Sequence, residues 1–266
     1  MSGETSEAAA VPALAPHPAK LFAEVTSRCN LRCSMCLRQS GEEAFRDGDM
    51  SVETFRRLLP ALATADALVL NGIGEPLLHP HLEEFVRAGK EQMEGRGWVG
   101  FQSNGLLMNS ARALRLVEAG LDRVCLSLDA VSPEAFRTIR MGEELADVER
   151  ALEVLRTARI RCRSPLQVGV EFVLRRDNIR ELPDAIRWAA SRGADFAIVT
   201  QLFPYHRDLV PLAVYDANLD SSVAVLDKYA KMGEREGIDI RNYHRVYLKY
   251  AKSARDERLI GLVDGM

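Results

Sequence analysis

The sequence predicts an α/β fold: a partial (β/α)6 TIM-like barrel of parallel strands with a short C-terminal strand-helix extension. Two patterns carry this reading. From Leu21 onward, apolar runs of strand length alternate with longer amphipathic stretches, the signature of repeated βα units. Polar turn residues then recur just after those runs, where the ligand sites of parallel α/β folds lie. A crossover between parallel strands is right-handed almost without exception, so six units in series wind into a curved open sheet. The alternative, a doubly wound flat sheet, needs helices on both faces.

The elements follow in order. Residues Met1 to Lys20, rich in Ala and Pro and without helical or strand period, are expected to form a flexible leader. The predicted strands of the barrel, 21–237, are Leu21–Val25, Ala67–Asn71, Val99–Gln102, Arg123–Leu128, Val168–Leu174 and Phe196–Thr200. Ser51 with Thr54 opens a helix that runs to about Thr64. Asn109 opens another, in which Ala113, Leu116 and Val117 repeat at helical spacing before Gly120 closes it. Ser132-Pro133-Glu134 reads as cap, first helical proline and first-turn acid. Gly193 and Gly237 close later helices, and Trp188 with the Leu and Val stripes is read as core. The extension, 238–266, reads as a short strand and then a helix from about Arg245 to Leu259.

Composition narrows the function. With 266 residues, 47% of them apolar, the chain can bury a full core. A net charge of −3 without a long basic run argues against a nucleic-acid partner. No apolar run reaches the roughly 18 residues that span a bilayer, and Met1-Ser2-Gly3-Glu4 lacks the positive start of a signal peptide. No membrane partner and a cytoplasmic location are therefore expected. Five cysteines in such a protein point to metal or catalytic use before disulfides.

Three of those cysteines sit in Cys29-Asn30-Leu31-Arg32-Cys33-Ser34-Met35-Cys36. Clustered thiolates favour zinc, copper(I) or iron-sulfur clusters, and a four-iron cube held by three cysteines leaves one iron without a protein ligand. A three-Cys zinc site completed by a distant histidine is the plain alternative, although zinc ribbons usually bring two CxxC pairs and no second pair exists here.

The CxxxCxxC spacing, preceded by Glu24-Val25-Thr26, resembles the cluster loop of radical S-adenosylmethionine (radical SAM) enzymes. The resemblance implies a 4Fe-4S cluster on Cys29, Cys33 and Cys36 whose open iron chelates the amino and carboxylate groups of S-adenosyl-L-methionine (SAM). It implies reductive cleavage of SAM to a 5'-deoxyadenosyl radical that abstracts hydrogen from a substrate, and an electron donor of flavodoxin or ferredoxin type. Gly72-Ile73-Gly74-Glu75-Pro76 is similar to the family's Gly-Gly-Glu-Pro, a glycine-rich segment that meets the SAM amino group through backbone carbonyls. Ser103-Asn104-Gly105 resembles Thr-Asn-Gly after strand three, and Ser127-Leu128-Asp129 the Ser-Leu-Asp of strand four.

On that resemblance Gly72, Gly74, Glu75, Ser103, Asn104, Ser127, Glu171 and Arg175 are expected to bind SAM. Met35 stands where the family usually has an aromatic near the adenine. Alternation along strand four puts Cys125, Ser127 and Asp129 on one face, with Asp129 as the candidate catalytic residue toward the substrate chamber. Asn178 and Gln201 are further contact candidates, and Glu134, Phe136, Ile139 and Arg140 match the helix start of maturase-type members. The core looks related to SPASM/Twitch maturases without their extra cysteines, Cys125 lying in a strand and Cys162 in a loop at the far end of the barrel. Together with Gly48-Asp49-Met50-Ser51, this suggests a peptide or cofactor precursor as substrate. A small-molecule radical SAM dehydrogenase or epimerase, or a non-catalytic iron-sulfur or zinc module, are the alternatives.

Overall fold

The computed structural model describes residues 18–39, 46–214 and 219–241, with the side chains of 219–227 left aside. Seven parallel strands stand in sequence order: β1 (Lys20–Phe22), β2 (Ala67–Val69), β3 (Trp98–Ser103), β4 (Arg123–Ser127), β5 (Gln167–Leu174), β6 (Phe196–Gln201) and β7 (Asp239–Arg241). The helices are α1 (Val52–Leu58), α2 (Leu82–Met93), α3 (Ser110–Glu118), α4 (Pro133–Ile139), α5 (Leu145–Cys162), α6 (Leu182–Ser191) and α7 (Leu219–Glu236). Strand order equal to chain order is the half-barrel topology that six successive βα units predict. The short strand expected in the extension pairs parallel with β6 and is a seventh strand of the same sheet. The predicted leader, up to residue 17, and the predicted helix from Arg245 to Leu259 lie outside the described residues.

The helices begin and end where their terminal groups find partners. The Ser51 hydroxyl accepts from Thr54 N (3.0 Å) and the Asn109 side chain from Arg112 N (2.9 Å), as their cap residues predict. Gly120, Gly193 and Gly237 all adopt positive φ beyond helix ends, the left-handed conformation that glycine reaches without strain. Ser132 departs from expectation. Its hydroxyl donates to Glu181 Oε1 (2.6 Å) and makes no cap bond, while Glu181 Oε2 accepts from Val131 N and Ser132 N. Cys162 likewise ends helix α5 and does not sit in a loop.

The core lies between sheet and helices. Val124 and Leu126 on β4, and Leu128 just beyond it, are fully buried in the core between sheet and helices, while Ser127 and Asp129 line the cavity and Cys125 packs with Phe196 and Ile198. Phe55 and Phe85 stack with centroids 4.0 Å apart, joining α1 to α2. At the amino end of the sheet, the carboxylates that precede β4 and β6 serve the neighbouring strand. Asp122 accepts from Val99 N (2.8 Å) and pairs with Lys90, and Asp195 accepts from Val168 N (2.7 Å) and pairs with Arg159. That end is closed by ordinary pairing, which leaves the carboxyl end as the working face.

Candidate functional site

The loops after β1 to β4, with the ends of β5 and β6, enclose a cavity of about 380 Å³. Cys29, Cys33 and Cys36 line it as free thiols. So do Met35, Gly72, Gly74, Glu75, Ser103, Asn104, Ser127, Asp129 and Glu171, the residues expected from the sequence. Arg175 is the exception. Its guanidinium binds Asp177 through Nε (2.9 Å) and Nη2 (2.7 Å) and Ser34 Oγ through Nη1 (3.0 Å), behind the cysteine loop and outside the cavity wall. Gln201 lines the cavity, whereas Asn178 is buried and donates from Nδ2 to Asp129 O and Val173 O.

The cysteine loop is held from both flanks. On one, Arg28 forms a two-pronged pair with Asp49 (3.0 and 2.7 Å), Thr26 Oγ1 donates to the same carboxylate (2.6 Å), and Arg38 donates to Ser27 O. On the other, Arg32 N and Ser34 N donate to Met141 O (3.2 Å) and Ile139 O (2.9 Å). The loop before the thiols also explains Gly74. A side chain there would run into Thr26 O and come within 2.7 Å of Arg28 O, and Glu75 N donates to Arg28 O (2.8 Å). The close approach that glycine permits is to the cysteine loop's own backbone.

Glu75 is a buried joint between two loops. Its Oε1 accepts from Ser103 Oγ (2.7 Å) and Leu77 N (3.0 Å), and its Oε2 from Asn104 N (2.8 Å). Burial raises its pKa against these three donors. Asn104 Nδ2 in turn donates to Asn30 Oδ1 (2.7 Å), which ties the third loop to the cysteine loop. The backbone at Asp129 is left-handed, φ 52°. This turns its carboxylate to accept from Val173 N (2.9 Å) and Arg140 Nη1 (3.2 Å). Arg140 Nε also donates to Glu143 Oε2 (2.9 Å). Burial raises the Asp129 pKa, against the pull of Arg140.

The cavity floor is a chain of polar side chains across four strands' ends. Asn71 Nδ2 donates to Gln102 Oε1 (3.1 Å), Gln102 Nε2 to Glu171 Oε2 (2.6 Å) and Thr200 Oγ1 to Glu171 Oε1 (3.4 Å). Burial first, then the charge of Asp129, pushes Glu171 up to about 7. A carboxyl whose folded pKa lies above its unfolded value holds its proton longer when folded, so its contribution falls as pH rises from 4.5 to about 7. Glu171→Gln keeps the Gln102 bond on its amide oxygen, and its amide N–H can donate to the Thr200 hydroxyl in place of the long bond accepted there. It is expected to flatten the pH dependence of unfolding across that window, so that its stability relative to wild type rises by up to about 3 kcal/mol from pH 4.5 to pH 8. Denaturant melts of both proteins at the two pH values check this.

Sequence reasoning did not single out Gln102, Thr200, Phe203 or Tyr205, all in the cavity wall. The first two carry a legible signal, since each lies on the inward phase of its strand beside an expected residue. The Phe203 and Tyr205 rings pair at 4.9 Å on the rim, with 59% and 48% exposure. They follow a strand end without periodicity, and only the fold places them there.

The donor set tests which metal group fits. Among the described residues no three His, Cys, Asp or Glu side chains converge closely enough to hold one ion. Three thiols that share a cavity without converging suit a four-iron cube, on which each thiolate takes its own corner. As free thiols Cys29 and Cys33 are raised by burial, Cys33 to about 11, so thiolates there need added positive charge.

Comparison with known proteins gives concordant results. Residues 23–189 match the family model described as "Radical SAM superfamily". The "tungsten-containing aldehyde ferredoxin oxidoreductase cofactor-modifying protein" of Pyrococcus furiosus is 33% identical over 215 residues, covering 79% of this chain and 58% of that protein. A GTP 3',8-cyclase of Rhizobium meliloti is 32% identical over 184 residues, 67% and 50% of the two chains. The chain thus spans half to three fifths of these relatives' length. Among solved structures, SuiB of Streptococcus suis bound to S-adenosylmethionine superposes with a TM-score of 0.66 at 12% identity over 85% of this chain and 50% of that one. His-tagged anSMEcpe with bound AdoMet gives 0.65 at 18% identity, over 85% and 62%.

Proposed function

Because this chain belongs to the radical SAM superfamily, we propose that it uses a 4Fe-4S cluster on Cys29, Cys33 and Cys36 to cleave SAM and abstract hydrogen from a cofactor precursor in a maturation step. The observation that supports this is that the three thiols, the Gly72–Gly74 turn and the serines at the ends of β3 and β4 all line one cavity. Cys29, Cys33 and Cys36 would hold the cluster, which would supply the electron for reductive cleavage of SAM.

The chain's own residues orient and shield. Backbone carbonyls of the Gly72–Gly74 turn are acceptors for an ammonium group. Ser127, with no side-chain partner among the described bonds, has its hydroxyl available for a carboxylate, while the Ser103 hydroxyl is already held by Glu75. Met35 presents a polarizable thioether where a flat ring would rest. Asp129, fixed by Arg140 and Val173 N, shapes the wall and holds the Arg140 charge beside the thiols. Cofactor maturation as the substrate class rests on the relative named as a cofactor-modifying protein. The required reductant is assigned to an electron donor of flavodoxin or ferredoxin type. Among the described residues no helix is long and apolar enough to cross a membrane.

Anaerobic reconstitution with iron and sulfide, followed by dithionite and SAM, is expected to give about four irons per chain and release of 5'-deoxyadenosine. One zinc without acid-labile sulfide, or a loaded cluster that leaves SAM intact, refutes the proposal.

A further inference from the structure

We propose that Arg140 is a positioning residue that sets the reduction potential of the cluster, its buried guanidinium holding a fixed positive charge against Cys33. The inference rests on the cluster assignment above and assigns a role to a residue outside the ligand set. Arg32 and Ser34, on either side of Cys33, donate their backbone N–H groups to Met141 and Ile139, on either side of Arg140. The two residues are therefore bracketed opposite one another, and both side chains line the cavity. Arg140 is 6% exposed, and its guanidinium is immobilised by Asp129 (3.2 Å) and Glu143 (2.9 Å).

The electrostatic consequence is direct. Adding an electron to a thiolate-ligated cluster increases buried negative charge, and a nearby cation that cannot lose its proton favours that addition. The two carboxylates moderate the field. Among the described residues Glu143 Oε1 is buried without a hydrogen-bond partner, so an amide at this position removes the charge while keeping the bond to Arg140 Nε possible.

The test compares full-length wild type, Arg140→Gln, Arg140→Lys and Glu143→Gln after anaerobic reconstitution. Midpoint potentials are read by dye-mediated titration at pH 8.5, above the Glu143 pKa of about 7, with the reduced cluster followed by electron paramagnetic resonance. Arg140→Gln is expected to be at least tenfold harder to reduce, ~59 mV for one electron, and Arg140→Lys to recover most of that loss. Glu143→Gln is expected to shift the other way, becoming easier to reduce. An Arg140→Gln protein with full iron and an unchanged midpoint overturns the proposal. If Arg140→Gln takes up no iron, Glu143→Gln decides, and a midpoint equal to wild type or shifted lower overturns it. A wild type that takes up no iron and sulfide instead refutes the cluster assignment, while normal SAM cleavage with immovable midpoints refutes only the role of Arg140.

Discussion

Cys33→Ala is expected to give a protein that folds yet retains no four-iron cluster. Iron should fall from about four per chain to near background, and 5'-deoxyadenosine release should fall by three orders of magnitude or more. The thiol is half-buried, in no disulfide, so its loss removes little packing: about 1 kcal/mol by the usual cost of small core truncations. The loop keeps its shape through Arg28 to Asp49, Arg32 to Met141 and Ser34 to Ile139, none of which involves a sulfur. Cys125→Ala and Cys162→Ala are the controls. Cys125 is buried against Phe196 and Ile198 below the cavity, and Cys162 ends α5 away from it, so both should keep full iron. Iron and sulfide analysis beside thermal unfolding separates ligand loss from misfolding. A Cys33→Ala protein with undiminished iron would remove the cysteine loop from the mechanism.

The cysteine loop and the half-barrel were legible because both are local. Strand and helix periods read over five to eighteen residues, and thiol spacing reads over eight. Inward phase along β4 placed Ser127 and Asp129 in the cavity wall, as alternation requires. What the side chains do once there was not legible. Glu75 answers donors on Ser103 and Asn104 from another βα unit, and Glu171 is held by Gln102 across two strands. Such bonds join residues far apart in sequence, and no period records them. Arg175 shows the same limit in the other direction. A charged residue just past a strand end looked like a ligand contact, yet Asp177, two residues on, and Ser34 draw it behind the loop. Gly74 was recognised as a close approach, but the neighbour it admits is the chain itself.

Glu75→Ala is the substitution expected to cost most stability. Glu75 is 3% exposed, and its carboxylate accepts from one hydroxyl and two backbone N–H groups. The Ser103 hydroxyl can turn toward another acceptor, but the Leu77 and Asn104 N–H groups are fixed by backbone and are left buried without one. Each orphaned donor costs about 1–3 kcal/mol, so the variant should lose about 3–5 kcal/mol in urea unfolding, with the slope m unchanged if the denatured state is unaffected. Ser103→Ala supplies the scale, since it leaves Glu75 two donors and orphans the one N–H, of Gly105, that the Ser103 hydroxyl accepts from (3.0 Å); a loss of about 1–3 kcal/mol is expected. Glu75→Gln keeps the volume but turns an amide N–H toward a donor, and should fall between them. The site should suffer beyond stability, because Glu75 N also donates to Arg28 O and Asn104 Nδ2 reaches Asn30, so the same joint aligns three loops around the thiols. Equal losses for Glu75→Ala and Ser103→Ala would mean that water replaces the carboxylate, and that this joint does not order the cavity.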